Sequence, residues 1–444
     1  MILFDSTGKL NTMKSLGVAL LGCGVVGSGV VRLLTEQKDR MQQRAGRPLD
    51  LRRIVVRDVE KERLIAVPKD LISNDTDSVF HDSQVDVVIE LMGGLEPART
   101  HMLRSFEAKK HVITANKAVL ASHGDELFSA AYRQGCTLGF EASIGGGIPI
   151  VHALSQGLAA NQVTAIKAIL NGTTNYILTA MSEKGCSYAD ALLEAQRLGF
   201  AEADPTLDVN GTDSAQKLAL LSRICFGISI NGDSIERRGI QTVEAVDIHF
   251  ARVMGYEIKL IAEAWMSEHR VALHVEPTLV SRFDPLAQMP GPYNAIEVVG
   301  DMVTDMLLCG PGAGQMPTAS AVVSDLIDLA LGHAPITFQS MKLWAPDRGI
   351  GLRSPSEIQS RFYLRVNVEE QAGNLAQVAG ILGKEHISVA SIVQHEQMET
   401  QRGLAIPIVI STHATNLGAI RTAIQTIDLL HCCLSPSIYM PIAE

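Results

Sequence analysis

The sequence predicts an α/β protein that opens on a doubly wound parallel sheet, continues into an α+β domain and closes on a β-α-β-β-α-β module. Three observations carry this. Over roughly the first 150 residues, short apolar runs of strand length alternate with helical stretches, the pattern of parallel strands joined by crossover helices. A glycine turn, Gly22-Cys23-Gly24-Val25-Val26-Gly27, follows the first run and opens a helix. Residues 362–443 have a strand and helix spacing of their own, after a Pro/Gly-spaced stretch.

Residues 16–21 read as a short buried strand and 25–36 as the helix after the turn. The runs at 54–56, 85–91, 112–115 and 137–140 are further strands, with helices at 97–109 and 124–134. Residues 13–148 are therefore expected to form a Rossmann-type domain. From 149 to 333 the pattern shifts to longer helices, at 188–198, 214–226 and 243–264, and a few strands. This stretch, 149–333, is the expected second domain, with a helix at 315–332 packing back on the first domain. Residues 334–356 read as a connector. The closing module, 357–444, has strands at 362–368, 387–394, 404–410 and near 432–439, and helices at 375–384 and 417–426. That order is ferredoxin-like.

The chain has 444 residues, 46% apolar and 19% charged, with 37 glycines and 17 prolines, which excludes a disordered or collagen-like chain. Lys plus Arg is 38 against 48 Asp plus Glu, a formal net charge of −10, so no nucleic-acid partner is expected. The seven cysteines (23, 136, 186, 225, 309, 432 and 433) are scattered without metal-ligand spacing, as in a cytoplasmic protein with reduced thiols. Residues 15–31 carry no charge and follow Met13-Lys14, the outline of a signal peptide ending at Leu20-Leu21-Gly22-Cys23. The run is short for a membrane span, and its glycines belong to the turn, so no membrane partner is expected.

In its strand-turn-helix context the glycine turn reads as a dinucleotide site. Gly22, Gly24 and Gly27 serve the tight turn, the approach of backbone to a pyrophosphate and close helix packing, with Val25 and Val26 in the first helical turn. After the second strand, Arg57 holds the position that accommodates a 2′-phosphate, with Asp58 one place on and Lys61 and Arg63 following. NADP(H) is therefore favoured, with NAD(H) also open; the plain reading of Arg57 is a solvated strand-end charge. Glu90-Leu91-Met92-Gly93-Gly94 and Thr114-Ala115-Asn116-Lys117 end later strands, placing Gly93 and Lys117 at the same crevice. Gly310-Pro-Gly-Ala-Gly314 precedes a helix and reads as a cofactor approach or a plain turn.

The segment 198–217 carries Glu202, Asp204, Asp208 and Asp213 ahead of a helix on which Asp213 and Lys217 share a face. A surface ion pair is the plain reading. Against it, the helix continues Leu218-Ala-Leu-Leu-Ser-Arg-Ile-Cys-Phe226, apolar nearly all round, which draws Lys217 toward an interior cleft. A lysine among carboxylates there suits proton transfer to an oxygen. Asn171-Gly-Thr-Thr-Asn-Tyr176 is dense in small hydrogen-bonding groups.

Together these landmarks, with Phe140-Glu-Ala-Ser-Ile-Gly-Gly-Gly-Ile-Pro149, resemble homoserine dehydrogenases of the long bacterial type with a C-terminal ACT domain, from about residue 16 to the end. The resemblance implies reversible NAD(P)H reduction of L-aspartate 4-semialdehyde to L-homoserine, feeding threonine, methionine and isoleucine synthesis. It implies Lys117 and Lys217 as the catalytic pair, with Lys217 the proton donor and acceptor, Glu202 on the substrate amino group, and Asp208, Asp213 and Thr173 in the substrate pocket. It also implies a monovalent cation, sodium, on the Glu141 segment through main-chain oxygens of Ile144, Gly146 and Ile148, and a homodimer or homotetramer built through 149–333 as the catalytic, substrate and dimerisation domain. The ACT-like module implies threonine as effector, although Ala372 replaces the usual proline before Gly373 in the Val368-Glu-Glu-Gln-Ala-Gly-Asn-Leu-Ala376 turn. Deletion after about residue 354 is expected to leave an active, threonine-insensitive enzyme.

Two other functions compete. An acylating semialdehyde dehydrogenase needs a cysteine nucleophile, for which Cys136 is the candidate, but it lies on the amino side of its strand, away from the cofactor. A non-catalytic amino-acid sensor has no use for both Lys117 and Lys217.

Overall fold

A computed structural model of the chain describes residues 14–65, 67–345, 349–394 and 405–443; the start of the expected strand at 404 lies outside them. The chain divides into two compact units. The first comprises the described residues up to Val163, Gln216–Ser234 and the stretch from Val299; the second comprises Thr164–Ala215, Ile235–Val298 and the stretch from Gly349.

The first unit is built on six strands: β1 (Leu16–Leu21), β2 (Leu49–Val55), β3 (Ile72–Ser73), β4 (Val87–Glu90), β5 (His111–Thr114) and β6 (Leu138–Gly139). Their spatial order is β3-β2-β1-β4-β5-β6, with parallel pairing throughout. This is the dinucleotide-binding order, whose switch point lies between β1 and β4. All six residues of β1 are buried because the sheet is covered on both faces. Leu16, Val18 and Leu20 enter one core, which includes Ala319, Val322 and Leu326 of the helix Gln315–Leu331. Ala19 and Leu21 enter the other, with Val79, Phe80 and Val88.

Three boundaries differ from expectation. The helix Lys38–Ala45 was hidden by its composition, since it buries only Met41 and Ala45. The second strand starts at Leu49, its polar residues Asp50, Arg52 and Arg53 being half-buried. The helix expected at 124–134 begins at Lys117, with a break in helical geometry at His123, so Lys117 is the first residue of a helix and not the end of a strand.

The second unit contains β7 (Val163–Ile169), β8 (Tyr256–Ser267), β9 (Arg270–Ser281), β10 (Tyr293–Gly300), β11 (Gln359–Glu369), β12 (Val389–Val393), β13 (Ala405–Thr412) and β14 (Cys433–Ile442). Their order is β10-β7-β8-β9-β14-β11-β13-β12. The last four strands run fourth-first-third-second within the closing module, a ferredoxin-like sheet with helices Asn374–Lys384 and Leu417–Ile427. Phe362, Leu364 and Val366 of β11 share one core with Val378, Leu382, Ile420 and Ile424 of the two helices.

The expected helix 243–264 is corrected. A helix spans Ala245–Val253, Gly255 adopts φ +89°, and the chain becomes β8. β8 and β9 pair antiparallel residue for residue from Ser267–Arg270 to Tyr256–Ser281. The apolar run in β8 has no period that tells a buried helix from a buried strand, and the hairpin partner decides. The connector is corrected too: His333–Met341 is helical, and Gly351–Leu352 pairs with Arg270–Val271 of β9. Among the described residues, no single helix is long and apolar enough to cross a membrane.

Candidate active site

At the carboxyl end of β1 each motif glycine has a distinct spatial reason. Gly22 has φ +97°, and a Cβ there would lie 2.6 Å from the Leu91 carbonyl oxygen; one on Gly27 would lie 2.5 Å from that of Gly22. A Cβ on Gly24 would meet nothing within 4 Å, so that position is open for a ligand rather than closed by packing. Gly24 is also the N-cap of the helix Val25–Glu36 and provides no side-chain cap, so the main-chain N–H groups at Val25 and Val26 are available to an anion. These residues fit a dinucleotide pyrophosphate.

Beyond β2, Arg57 is exposed. The Asp58 carboxylate accepts from the N–H of Glu60 (3.0 Å) and Lys61 (3.2 Å), so it shapes its own loop. The Arg63 guanidinium is turned back, donating to the main-chain oxygens of Asp58 and Lys61 at 2.5 Å. Burial raises the Cys23 thiol pKa, an effect that Ser28 and Arg63 partly offset.

Lys117 begins the helix Lys117–Gln134 and is half-buried. Its position is set by a chain of polar contacts. Glu90, fully buried, accepts from Met92 N–H and Thr114 Oγ1, each at 2.7 Å. Thr114 Oγ1 accepts from Asn116 N–H at 3.0 Å, Asn116 Nδ2 donates to the Gly94 oxygen at 2.7 Å, and Asn116 Oδ1 caps the helix through Val119 N–H. Gly93 thus sits beside a loop tied to the first turn of the Lys117 helix.

Lys217 lies on the helix Thr212–Phe226 and is only 8% exposed. Further along that helix Arg223 reaches the Lys117 helix: its Nη1 lies 2.6 Å from Asp125 Oδ1, and its guanidinium stands 4.9 Å over the Phe128 ring. The two lysine-bearing helices are thus tied through Arg223.

In the second unit, Asn171 gathers the acids. Its Nδ2 donates to Asp208 Oδ1 at 2.8 Å and to Asp213 Oδ2 at 2.9 Å, while its Oδ1 caps the helix Gly172–Lys184 through Thr174 N–H. Thr173 Oγ1 lies 2.7 Å from the Phe200 oxygen and 3.1 Å from Asp208 Oδ2. Asp204 is diverted: it accepts from Thr206 N–H and Oγ1, and those bonds hold its pKa down. Glu202 is exposed and not part of that cluster. Asp213 stands in the first turn of the helix whose next turn carries Lys217.

The Glu141 carboxylate is buried and accepts from Val151 N–H (2.9 Å), His152 N–H (2.8 Å) and His152 Nδ1. Asp328, on the far ring nitrogen, and Glu141 raise the His152 pKa to about 10, and burial raises buried Asp325 to about 8. A cation on the following loop would find this carboxylate already engaged and would depend on main-chain oxygens. Gly146, at φ +60°, approaches the Gly312 carbonyl so closely that a Cβ would lie 2.3 Å from its oxygen. Gly147 N–H donates to the Pro311 oxygen at 3.0 Å. Ile144 to Ile148 and the turn before Gly314 are thereby one packed pair of loops, and Gly314, at φ +120°, N-caps the helix Gln315–Leu331. Among the described residues no cluster of three His, Cys, Asp or Glu is arranged to hold a metal. Cys136 is buried with its thiol pKa raised by that burial, which does not suit a nucleophile.

Sequence reasoning passed over the support given by Glu90 and the bridge made by Asn171. A buried acid closing a β-strand was the available signal for the first; the second joins residues 37 and 42 positions apart and leaves no local trace.

Family profiles described as "Homoserine dehydrogenase, NAD binding domain" and "Homoserine dehydrogenase" match residues 22–141 and 149–327. The homoserine dehydrogenase of Neisseria gonorrhoeae is 38% identical over 437 residues, covering 96% of this chain and 98% of that protein. That of Bacillus subtilis is 36% identical over 425 residues, covering 94% and 95%. The crystal structure of a homoserine dehydrogenase from Thiobacillus denitrificans matches with a TM-score of 0.90 at 36% identity, covering 98% of this chain and 99% of that one.

Proposed function

This chain belongs to the homoserine dehydrogenase family, and on that premise we propose that it catalyses the reversible NAD(P)H-dependent reduction of L-aspartate 4-semialdehyde to L-homoserine, a step toward threonine, methionine and isoleucine. The observation that carries this reading is a buried ammonium, Lys217, one helical turn beyond an acid that Asn171 holds in place. When bound, a reduced nicotinamide supplies a hydride to the aldehyde carbon. Lys217 gives its proton to the oxygen that becomes an alkoxide and takes it back in the reverse direction, a role typically worth ~10²–10⁴ in rate. Lys117, fixed at the start of its helix, adds positive charge beside that oxygen. Glu202, Asp208 and Asp213, with Thr173, suit the substrate's ammonium, since a zwitterion needs an anionic partner. Spectrophotometric oxidation of NADPH on adding L-aspartate 4-semialdehyde tests the proposal; binding of NADPH without turnover of the semialdehyde would overturn it.

NADP(H) preference is supported by exposed Arg57 beyond β2, with Asp58 occupied in its own loop. Arg57→Asp is expected to shift the ratio of kcat/KM from NADPH toward NADH, because it sets like charge against a 2′-phosphate. An unchanged ratio would move the 2′ pocket to Lys61 or Arg63.

The closing module is read as an ACT domain with threonine as effector. Its Glu369–Leu375 turn lines a cavity of about 280 Å³, with Gly373 at φ +97° and Asn374 Nδ2 donating to the Glu369 oxygen at 2.7 Å. A monovalent cation, sodium, belongs on the main-chain oxygens of Ile144, Gly146 and Ile148, and the working assembly is a homodimer or homotetramer built through the middle domain.

A further inference from the structure

We infer that Asn175 and Lys259 are positioning residues that set this enzyme's selectivity for an aldehyde bearing an α-ammonium: they hold the Asn171 turn, and through it Asp208 and Asp213, in register for that group. The inference rests on the reading that these acids receive the substrate's ammonium.

Both side chains are buried, Asn175 at 1% and Lys259 at 4% exposure. Asn175 stands in the first turn of the helix Gly172–Lys184, and its main-chain N–H donates to the oxygen of the N-cap residue Asn171 at 3.2 Å. Its Nδ2 faces three main-chain oxygens of one loop: Gly291 at 2.9 Å, and Met289 and Tyr293 at 3.1 Å each. Its Oδ1 accepts from Lys259 Nζ of β8 at 2.9 Å, and the same ammonium donates to the Met289 oxygen at 2.8 Å. An amide carries donors and an acceptor together, so it serves the loop and the ammonium at once. The loop is thereby drawn against the start of the helix, where a Cβ on Gly172 would lie 2.5 Å from the Pro292 oxygen. On the other side Asn294 Nδ2 donates to the Leu170 oxygen at 2.9 Å. Asn171 is therefore held from both neighbours, and its own amide is the group that donates to Asp208 and Asp213.

Packing alone does not account for a lysine at this place. Desolvation pulls its pKa down to about 8, against the upward pull of Glu257 and Glu183. Its hydrogen-bond partners are neutral oxygens, those of Asn175 and Met289 and, at 3.5 Å, the Thr179 hydroxyl. A methionine would fill the same length of β8 without burying a charge, and such replacements are often neutral or stabilising. What the ammonium adds is a pair of charge-assisted bonds, stronger than neutral ones, that pin the loop to the helix. The consequence falls on binding geometry, because a misplacement of about 1 Å far from the chemistry can cost ~10²-fold.

Lys259→Met in the full chain tests this, with NADPH and two aldehydes: L-aspartate 4-semialdehyde, and succinate semialdehyde, which has hydrogen in place of the amino group. The expected result is a KM for L-aspartate 4-semialdehyde raised by about tenfold to a hundredfold, with kcat and the KM for NADPH nearly unchanged. Succinate semialdehyde has no ammonium to place, so its kcat/KM is expected to stay close to that of wild type, and the ratio between the two aldehydes falls. Asp208→Asn added to Lys259→Met is expected to lower that ratio little further, since both act through one contact. Asn175→Asp serves should Lys259→Met fail to fold. It is isosteric and keeps the bond to Lys259, but it sets a carboxylate oxygen against three carbonyls, and the same fall in the ratio is expected. Equal losses on both aldehydes, or a lower thermal midpoint with the ratio unchanged, would make the pair structural and overturn the inference. A wild type that leaves NADPH unoxidised with L-aspartate 4-semialdehyde would overturn the reading of the reaction, and the inference with it.

Discussion

Lys217→Ala is expected to lower kcat by about two to four orders of magnitude while NADPH binds nearly as before. Lys217 sits at 8% exposure on a helix whose following residues Leu218, Ala219, Leu220 and Leu221 are all buried. Alanine preserves helix propensity at that position, so the fold is expected to survive. What is lost is the ammonium one turn beyond Asp213, the proton source proposed for the alkoxide oxygen. The glycine turn and Arg57 lie elsewhere in the first unit and keep their backbone geometry. Steady-state turnover together with a fluorescence titration of NADPH checks this. A variant with near wild-type kcat would remove Lys217 from the chemistry, and one that also loses NADPH binding would make it a structural residue.

What the sequence disclosed and what it withheld divide along the reach of the interactions. The glycine turn was legible because its causes are local: a strand, a φ of +97° at Gly22 and a helix start, all within a few residues. The closing module was legible because alternation in β11 and the helical period of Leu417–Ile427 point to one core. The β8–β9 hairpin was not, since the run Ile258–Ala264 is apolar enough for either structure and only pairing across Glu268 and His269 settles it. The acids at 208 and 213 could be nominated, but that Asn171 bridges both and Asp204 merely caps a turn is tertiary information. Exposed Glu202 is placed at the site by resemblance; its contact among the described residues is at its main-chain oxygen, which accepts from Gln196 Nε2 at 3.1 Å.

The same distinction alters how the closing module is best tested. Arg365 of β11 is 2% exposed and donates from Nε to Asp247 Oδ1 at 2.7 Å and from Nη2 to Asp247 Oδ2 at 3.1 Å and Glu244 Oε1 at 2.9 Å. Tyr363 Oη donates to the same Asp247 oxygen at 2.8 Å, and Asp247 is fully buried on the helix Ala245–Val253. Beside this clasp, β14 joins β9 at Leu279–Ile442. Deleting the chain after Ser354 would strip Asp247 of its cation and β9 of its neighbour, so the truncated enzyme is expected to be destabilised and not simply desensitised. Arg365→Met is the cleaner probe. Removing one partner of a buried pair leaves an uncompensated charge and costs about 3–5 kcal/mol. That is a large share of the ~5–15 kcal/mol by which folded domains are stable. The expected result is a markedly lower thermal midpoint by calorimetry and faster proteolysis of the module. Arg365→Met with Asp247→Leu removes both charges and is expected to recover much of the loss, because the cost lies in the orphaned carboxylate more than in the missing attraction. A double variant as unstable as the single would assign the effect to packing around the arginine stem, or to the Tyr363 Oη and Glu244 N–H bonds that Asp247 accepts.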